Sequence, residues 1–153
     1  MAIYLVQHGK SLSKDVDPDQ GLSDLGKSDV ARIAAVAEGY GIRVSAIAHS
    51  GKKRAAETAM IIAAALGLED RVTRRDGLNP LDDVEAFAKT IDEASNLMLV
   101  GHLPFMQRLT AHLTAETVQR TILKFQNGGI VCLDRDAAEG QWYIKWTLMP
   151  QIG

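Results

Sequence analysis

Histidine occurs four times in this chain of 153 residues, and three of the four stand where an apolar run gives way to a loop. His8 follows Tyr4-Leu5-Val6-Gln7 and precedes Gly9-Lys10-Ser11. A neutral imidazole nitrogen is a nucleophile near pH 7 and can attack phosphorus, and the adjacent glycine lacks the side chain that would hold a phosphoryl group away from the backbone. His49 leads into Ser50-Gly51-Lys52-Lys53-Arg54, and His102 into Leu103-Pro104. Three imidazoles also suffice for zinc. These lack closely spaced ligand pairs, however, and Arg54 beside the same site would repel a cation, so no metal and no other cofactor is expected. The fourth histidine, in Ala111-His112-Leu113, lies one helix onward and reads as structural.

The elements that must position these groups follow from apolar patterning. Ala2 to Val6 is apolar throughout, as in a strand covered on both faces. A polar surface loop, Ser13 to Gln20, leads to a helix with Ser23 as N-cap and Asp24 in its first turn. Its apolar positions are Leu22, Leu25, Ile33, Val36, Ala37 and Tyr40, and Gly39 and Gly41 end it. Val44 to Ala48 reads as a second buried strand. It runs through His49-Ser50-Gly51 into an alanine-rich helix, Lys52 to Leu66, stopped by Gly67 and facing inward through Ala55, Ala59, Ile62 and Leu66.

A weak strand at Arg71 to Arg74 and the turn Gly77-Leu78-Asn79-Pro80 precede a helix expected from Asp82 to Ala94. Asn96 to Val100 is a better strand, turning at Gly101-His102-Leu103-Pro104 into a helix from Phe105 to Leu113. Strands at Gly129 to Asp134 and Trp142 to Leu148 flank a polar turn. Alternating strands and helices predict a three-layer α/β/α sandwich on a mainly parallel, mixed sheet. In such sheets ligands bind at the carboxyl ends of the strands. His8, His49 with Arg54, and His102 all belong to those ends, so they can converge.

Composition bounds the partners. The length fits one domain, residues 1 to 153, and the formal net charge of -2 gives no general attraction to nucleic acid or to an anionic membrane. Anion binding must then be local. The single cysteine, Cys132, lies in the alternating apolar run Ile130-Val131-Cys132-Leu133 and reads as a core residue. The first strand begins at once with no leader, and no apolar segment is long enough for a bilayer, so a cytoplasmic location is expected.

Gln7-His8-Gly9, the segment His49-Ser50-Gly51-Lys52-Lys53-Arg54-Ala55-Ala56-Glu57-Thr58-Ala59, and Gly101-His102-Leu103-Pro104 together resemble the histidine phosphatase superfamily, with its phosphoglycerate-mutase-like fold. The chain length and the His102-Leu103-Pro104 run look most like its small SixA-type phosphohistidine phosphatase branch. The resemblance implies that His8 is the nucleophile and becomes phosphorylated. It also implies that Arg54 binds the phosphoryl oxygens and that His102 donates a hydrogen bond or charge opposite His8. Gln7 and Gly9 then belong to the phosphate-binding loop.

The superfamily's first motif reads Arg-His-Gly, and Gln7 stands in the arginine's place. A guanidinium would make charge-assisted hydrogen bonds to the phosphoryl oxygens, each contributing about 1.5–3 kcal/mol against about 1 for a neutral amide, so over a bidentate pair the expected cost is roughly tenfold to a few hundredfold in transition-state stabilisation. Lys10, Lys52 and Lys53 are candidates to restore the charge, with Ser11 beside the first motif. His49 and Ser50 either line the pocket or support the loop. Many superfamily members carry a glutamate in the third unit, whereas SixA-type members lack it, and none stands in Asp76-Gly77-Leu78-Asn79-Pro80-Leu81-Asp82-Asp83. Asp82 and Asp83 are read as helix caps, with a proton-donor role as the alternative.

These readings point to a metal-independent phosphatase acting on protein phosphohistidine. Two others compete: a phosphate- or phosphoprotein-binding module without turnover, and a phosphatase for small phosphomonoesters.

Overall fold

The computed structural model describes residues 1–153. Six strands form one sheet in the order β3-β2-β4-β1-β5-β6. In chain order they are β1 (Ala2–Gln7), β2 (Ala46–His49), β3 (Val72–Arg74), β4 (Leu97–Gly101), β5 (Ile130–Arg135) and β6 (Trp142–Leu148). The first four run parallel to one another, and β5 and β6 add antiparallel strands beyond β1. The helices are α1 (Asp24–Gly39), α2 (Lys53–Leu66), α3 (Val84–Ala88) and α4 (Phe105–Ala115). This is the expected three-layer, mainly parallel arrangement.

Alternation along β1 divides the core. Tyr4 and Val6 pack with Val30, Ala34, Ala59 and Ile62 of α1 and α2, while Ile3 and Leu5 pack with Phe87, Phe105 and Leu109 of α3 and α4. All six residues of β1 are buried, as its unbroken apolar pattern predicts. Cys132 is 1% exposed on β5, and no helix is long and apolar enough to cross a membrane.

Two expectations need correction. The buried face of α1 is Gly26, Val30, Ile33, Ala34 and Ala37, whereas Leu25, Val36 and Tyr40 are exposed. Gly26 stands on this face because the loop after His8 lies directly against it. A Cβ on Gly26 would stand 2.1 Å from the Lys10 carbonyl oxygen.

The third helix is also much shorter than Asp82 to Ala94. After Ala88, the Thr90 hydroxyl donates to the Phe87 carbonyl at 2.7 Å, and Arg75 holds the Thr90 carbonyl and hydroxyl oxygens. Asp92 then accepts from the Ala94 amide at 3.0 Å, diverting the backbone into a turn. Side chains that bond their own backbone compete successfully with the helix here.

Candidate active site

His8 leaves β1 in a position fixed from four sides. Its amide donates to the Gly101 carbonyl at 3.0 Å, and its own carbonyl accepts from Asn127 Nδ2 at 3.0 Å and from the Gly128 amide at 3.2 Å. The next residue, Gly9, donates its amide to Thr58 Oγ1 at 2.9 Å, and the Thr58 hydroxyl donates to the Arg54 carbonyl at 2.8 Å. Thr58 thereby ties the His8 loop to the first turn of α2, one helical turn from Arg54.

The imidazole of His8 has a defined tautomer. Its Nδ1 lies 2.7 Å from the Gly9 carbonyl oxygen, which can only accept, so Nδ1 carries the proton and Nε2 keeps its lone pair. Burial lowers the pKa of this ring and the nearby Arg54 charge lowers it further, against the opposing bond to Gly9. A neutral ring with a free Nε2 is the nucleophilic form.

His102 faces it, with ring centroids 5.0 Å apart and planes inclined by 50°. It is 1% exposed, and its pKa is pushed down to about 3 by burial and then by His8, Arg54 and Lys52. Its Nε2 lies 2.6 Å from Ser50 Oγ, which also accepts from the Lys52 amide at 3.3 Å, whereas its Nδ1 is buried without a partner. If the Ser50 hydroxyl donates to Nε2, the ring proton sits on Nδ1, an idle donor between two neutral imidazoles.

Arg54 sits in the first turn of α2, where unpaired amides and the helix dipole favour an anion. No carboxylate or carbonyl engages its guanidinium, and its charge acts on both histidines. Burial lowers its pKa, but a guanidinium stays charged. A free cation, a free nucleophilic nitrogen and an idle buried nitrogen thus share one small region.

The remaining candidates divide. Gln7 is 8% exposed and its Oε1 has no hydrogen-bond partner. At Gly9 packing alone requires a glycine, because a Cβ there would meet Val30 Cγ2 at 2.7 Å. Lys10 is exposed, with its carbonyl accepting from Ser23, and Ser11 pairs with Leu22 in an isolated bridge that closes the loop. Lys53 is held by Asp17 at 2.8 Å, leaving Lys52 as the lysine whose charge reaches His102.

His49 ends β2 and supports the loop: its Nδ1 accepts from the Gly51 amide at 3.1 Å. Asp83 caps α3 through the Ala86 amide at 3.0 Å, as expected, whereas Asp82 caps no helix and instead closes the preceding turn by accepting from the Asn79 amide at 2.9 Å. His112 lies in the last turn of α4, away from these groups in the chain. No set of three or more His, Cys, Asp or Glu side chains is placed to hold a metal ion.

Thr58 and Asn127 escaped the sequence reading. Thr58 carried a signal, being the one polar residue on the inward stripe of Ala55, Ala59 and Ile62. Asn127-Gly128 reads only as a turn, since its link to His8 spans 119 residues.

The pattern of the histidine phosphatase superfamily, branch 1, matches residues 3–82, a span that contains His8, Arg54 and Thr58. The chain belongs to this superfamily. Its fold is that of the superfamily's solved members. The protein histidine phosphatase SixA complexed with tungstate superposes with a TM-score of 0.84 at 21% identity, over 98% of this chain and 97% of that one. A protein from Agrobacterium tumefaciens assigned as a SixA phosphohistidine phosphatase gives 0.80 at 23%, over 98% of each chain. The phosphoserine phosphatase of Entamoeba histolytica in complex with 3-phosphoglyceric acid gives 0.72 at 15%, over 95% of each chain. No curated protein matches the chain significantly in sequence. This superfamily member therefore shares one fold with enzymes of different substrates, and fold alone does not select among them.

Proposed function

We propose that this chain is a phosphohistidine phosphatase that works through phospho-His8, and that its partner is a phosphorylated protein. The observation that carries the reading is the Nδ1-to-Gly9 carbonyl bond, which leaves His8 Nε2 unshared on a ring whose centroid lies 5.0 Å from that of His102, itself carrying an unpartnered buried Nδ1. Arg54 would hold the equatorial phosphoryl oxygens and His102 would donate to one of them. A phosphoryl dianion beside His102 also reverses the field that keeps its pKa low. Tungstate in the SixA structure is a phosphate-like anion, which fits a phosphoryl pocket of this kind.

The proton balance favours a phosphoramidate. When the substrate's ring is protonated, His8 Nε2 forms a bond to phosphorus, the substrate's N–P bond breaks, and a neutral imidazole departs without an acid. Phospho-His8 keeps its Nδ1 proton on the Gly9 carbonyl. Water then adds to phosphorus, the Nε2–P bond breaks with its electrons returning to nitrogen, and both water hydrogens leave on dihydrogen phosphate. A phosphomonoester would instead release an alkoxide and require a proton donor. Of the acidic candidates weighed from the sequence, Asp83 is engaged in capping α3 and Asp82 in the turn before it.

Alkaline quench of the chain mixed with a phosphohistidine peptide tests this. The expected result is a base-stable, acid-labile phosphoenzyme that is absent in His8→Ala. Unchanged phosphoenzyme and turnover in that variant would overturn the reading. Gln7 supports a second reading, a binding module, because a neutral amide stands where the superfamily carries a guanidinium. That reading predicts Arg54-dependent phosphate binding without release of phosphate from either a phosphohistidine peptide or an aryl phosphate.

A further inference from the structure

We propose that Arg74, with Lys52 beside it, forms a basic rim that docks acidic residues flanking the phosphorylated histidine of the protein substrate. This rests on the phosphohistidine reading and concerns what surrounds the phosphoryl group. Strand pairing puts Arg74 at the site's edge: it is the register partner of His49, and the following Arg75 amide donates to the His49 carbonyl at 2.9 Å. One residue beyond His49 lies Ser50, bonded to His102.

Gly51 makes room for the guanidinium. It has φ +93°, and a Cβ there would stand 2.8 Å from Arg74 Nε, 3.0 Å from Cδ and 3.2 Å from Cζ. Any side chain at 51 would displace the arginine from the loop that shapes the pocket. Its proximity is also felt at His49, whose pKa is lowered by burial and then by Arg74.

Arg74 is available. Its side chain is 71% exposed, and its one ion-pair partner is Asp76 at 3.8 Å, itself 96% exposed. Lys52 is exposed at the N-cap of α2 with no ion pair. Neighbouring cations are committed elsewhere: Lys53 to Asp17, and Arg75 to Thr90 and the Phe87 ring. Beyond Arg74 in the chain, a depression of about 630 Å³ is lined by Asp76, Asp82 and Asp83 together with Arg75. An acidic segment of the substrate would be drawn to Lys52 and Arg74 rather than to these carboxylates. The chain's net charge of -2 confines this attraction to the rim.

The test compares three substrates: a phosphohistidine peptide flanked by aspartates, the same peptide flanked by serines, and phosphoramidate. For the native chain, the acidic peptide should have the lowest KM, and that advantage should fade with added salt. Arg74→Ala should raise its KM about three- to tenfold with kcat unchanged, and Arg74→Glu should raise it further. Serine-flanked peptide and phosphoramidate should be unaffected by Arg74→Ala. Equal KM values for the two peptides in the native chain, or an equal loss on all three substrates, would overturn the rim. Turnover of an aryl phosphate but of none of the three would overturn the phosphohistidine reading, and the rim with it.

Discussion

The two ends of the sheet handle polar groups in opposite ways. At the amino end of β1 lies a cleft of about 770 Å³, between the close of α1 and strand β6, lined by Tyr4, Arg43, Asp134, Lys145 and Trp146 among others. Its carboxylate and its hydroxyl are engaged: Asp134 accepts from the amino terminus at 3.3 Å and faces Lys145 at 3.4 Å, and the Tyr4 hydroxyl donates to the Arg43 carbonyl at 3.1 Å. The carboxyl end contains all three buried side-chain polar atoms without a partner, Gln7 Oε1, Glu57 Oε1 and His102 Nδ1. Unpaired buried polar groups cost stability, and two of them flank His8, on its neighbour Gln7 and on the facing His102, which marks the chemistry better than the cleft at the other end does.

The comparison breaks most directly at His8. His8→Ala should abolish the phosphoenzyme and lower turnover by about 10⁴-fold or more, whereas Trp146→Ala in the large cleft should leave kcat within about twofold. Steady-state release of phosphate from a phosphohistidine peptide measures both. A comparable loss in the Trp146 variant would show that the ends are coupled. Arg54→Ala should follow at about 10²- to 10³-fold in kcat/KM, with Arg54→Lys recovering only part because an ammonium lacks the bidentate fork.

Acid titration sharpens the same contrast. His102 has a folded pKa of about 3 against an ordinary 6.5, so the unfolded chain takes up the proton first as pH falls. Stability is then fully present above about pH 6.5 and declines by roughly 1.4 kcal/mol per pH unit toward pH 3, with His8 acting in the same direction. Chemical denaturation of the native chain and of His102→Gln across that range should show a flatter slope in the variant. Equal slopes would mean that His102 is not buried neutral.

Much of this end was legible in the chain because it depends on local signals. The Ser23 cap, confirmed by the Gly26 amide at 3.0 Å, and the left-handed Gly67 that ends α2 are short-range features. The strand ends carrying His8 and His102 followed from apolar runs and their flanking turns. What could not be read depends on contacts distant in sequence. The reason for Gly9 lies in Val30, across the sheet-to-helix interface, and the Asn127 bond to His8 joins opposite ends of the chain. The early end of α3 turned on Arg75, which binds Thr90 from 15 residues away.

Gly9→Ala tests one such contact. Its Cβ would press on Val30 Cγ2 at 2.7 Å and approach the Gly26 carbonyl at 3.2 Å, so the variant should lose about 1–3 kcal/mol of stability. Phosphate titration of the fraction that remains folded should show affinity close to native. Strong loss of phosphate affinity without destabilisation would restore the view that glycine clears a path for the phosphoryl group.

The smallest effect belongs to the other end. Tyr4→Phe removes one hydrogen bond to the Arg43 carbonyl and keeps the ring against Trp146, at 6.0 Å between centroids. Thermal or chemical denaturation should register about 0.5–1.5 kcal/mol, and kcat should not change. The variant is informative because Tyr4 shares β1 with His8, and the strand itself is held on both sides by β4 and β5. If the strand is a rigid support, a loosened polar tie at its start is absorbed before it reaches the nucleophile. A fall in kcat would instead mean that the paired charges and hydroxyl at the amino end help to hold His8 in register with His102.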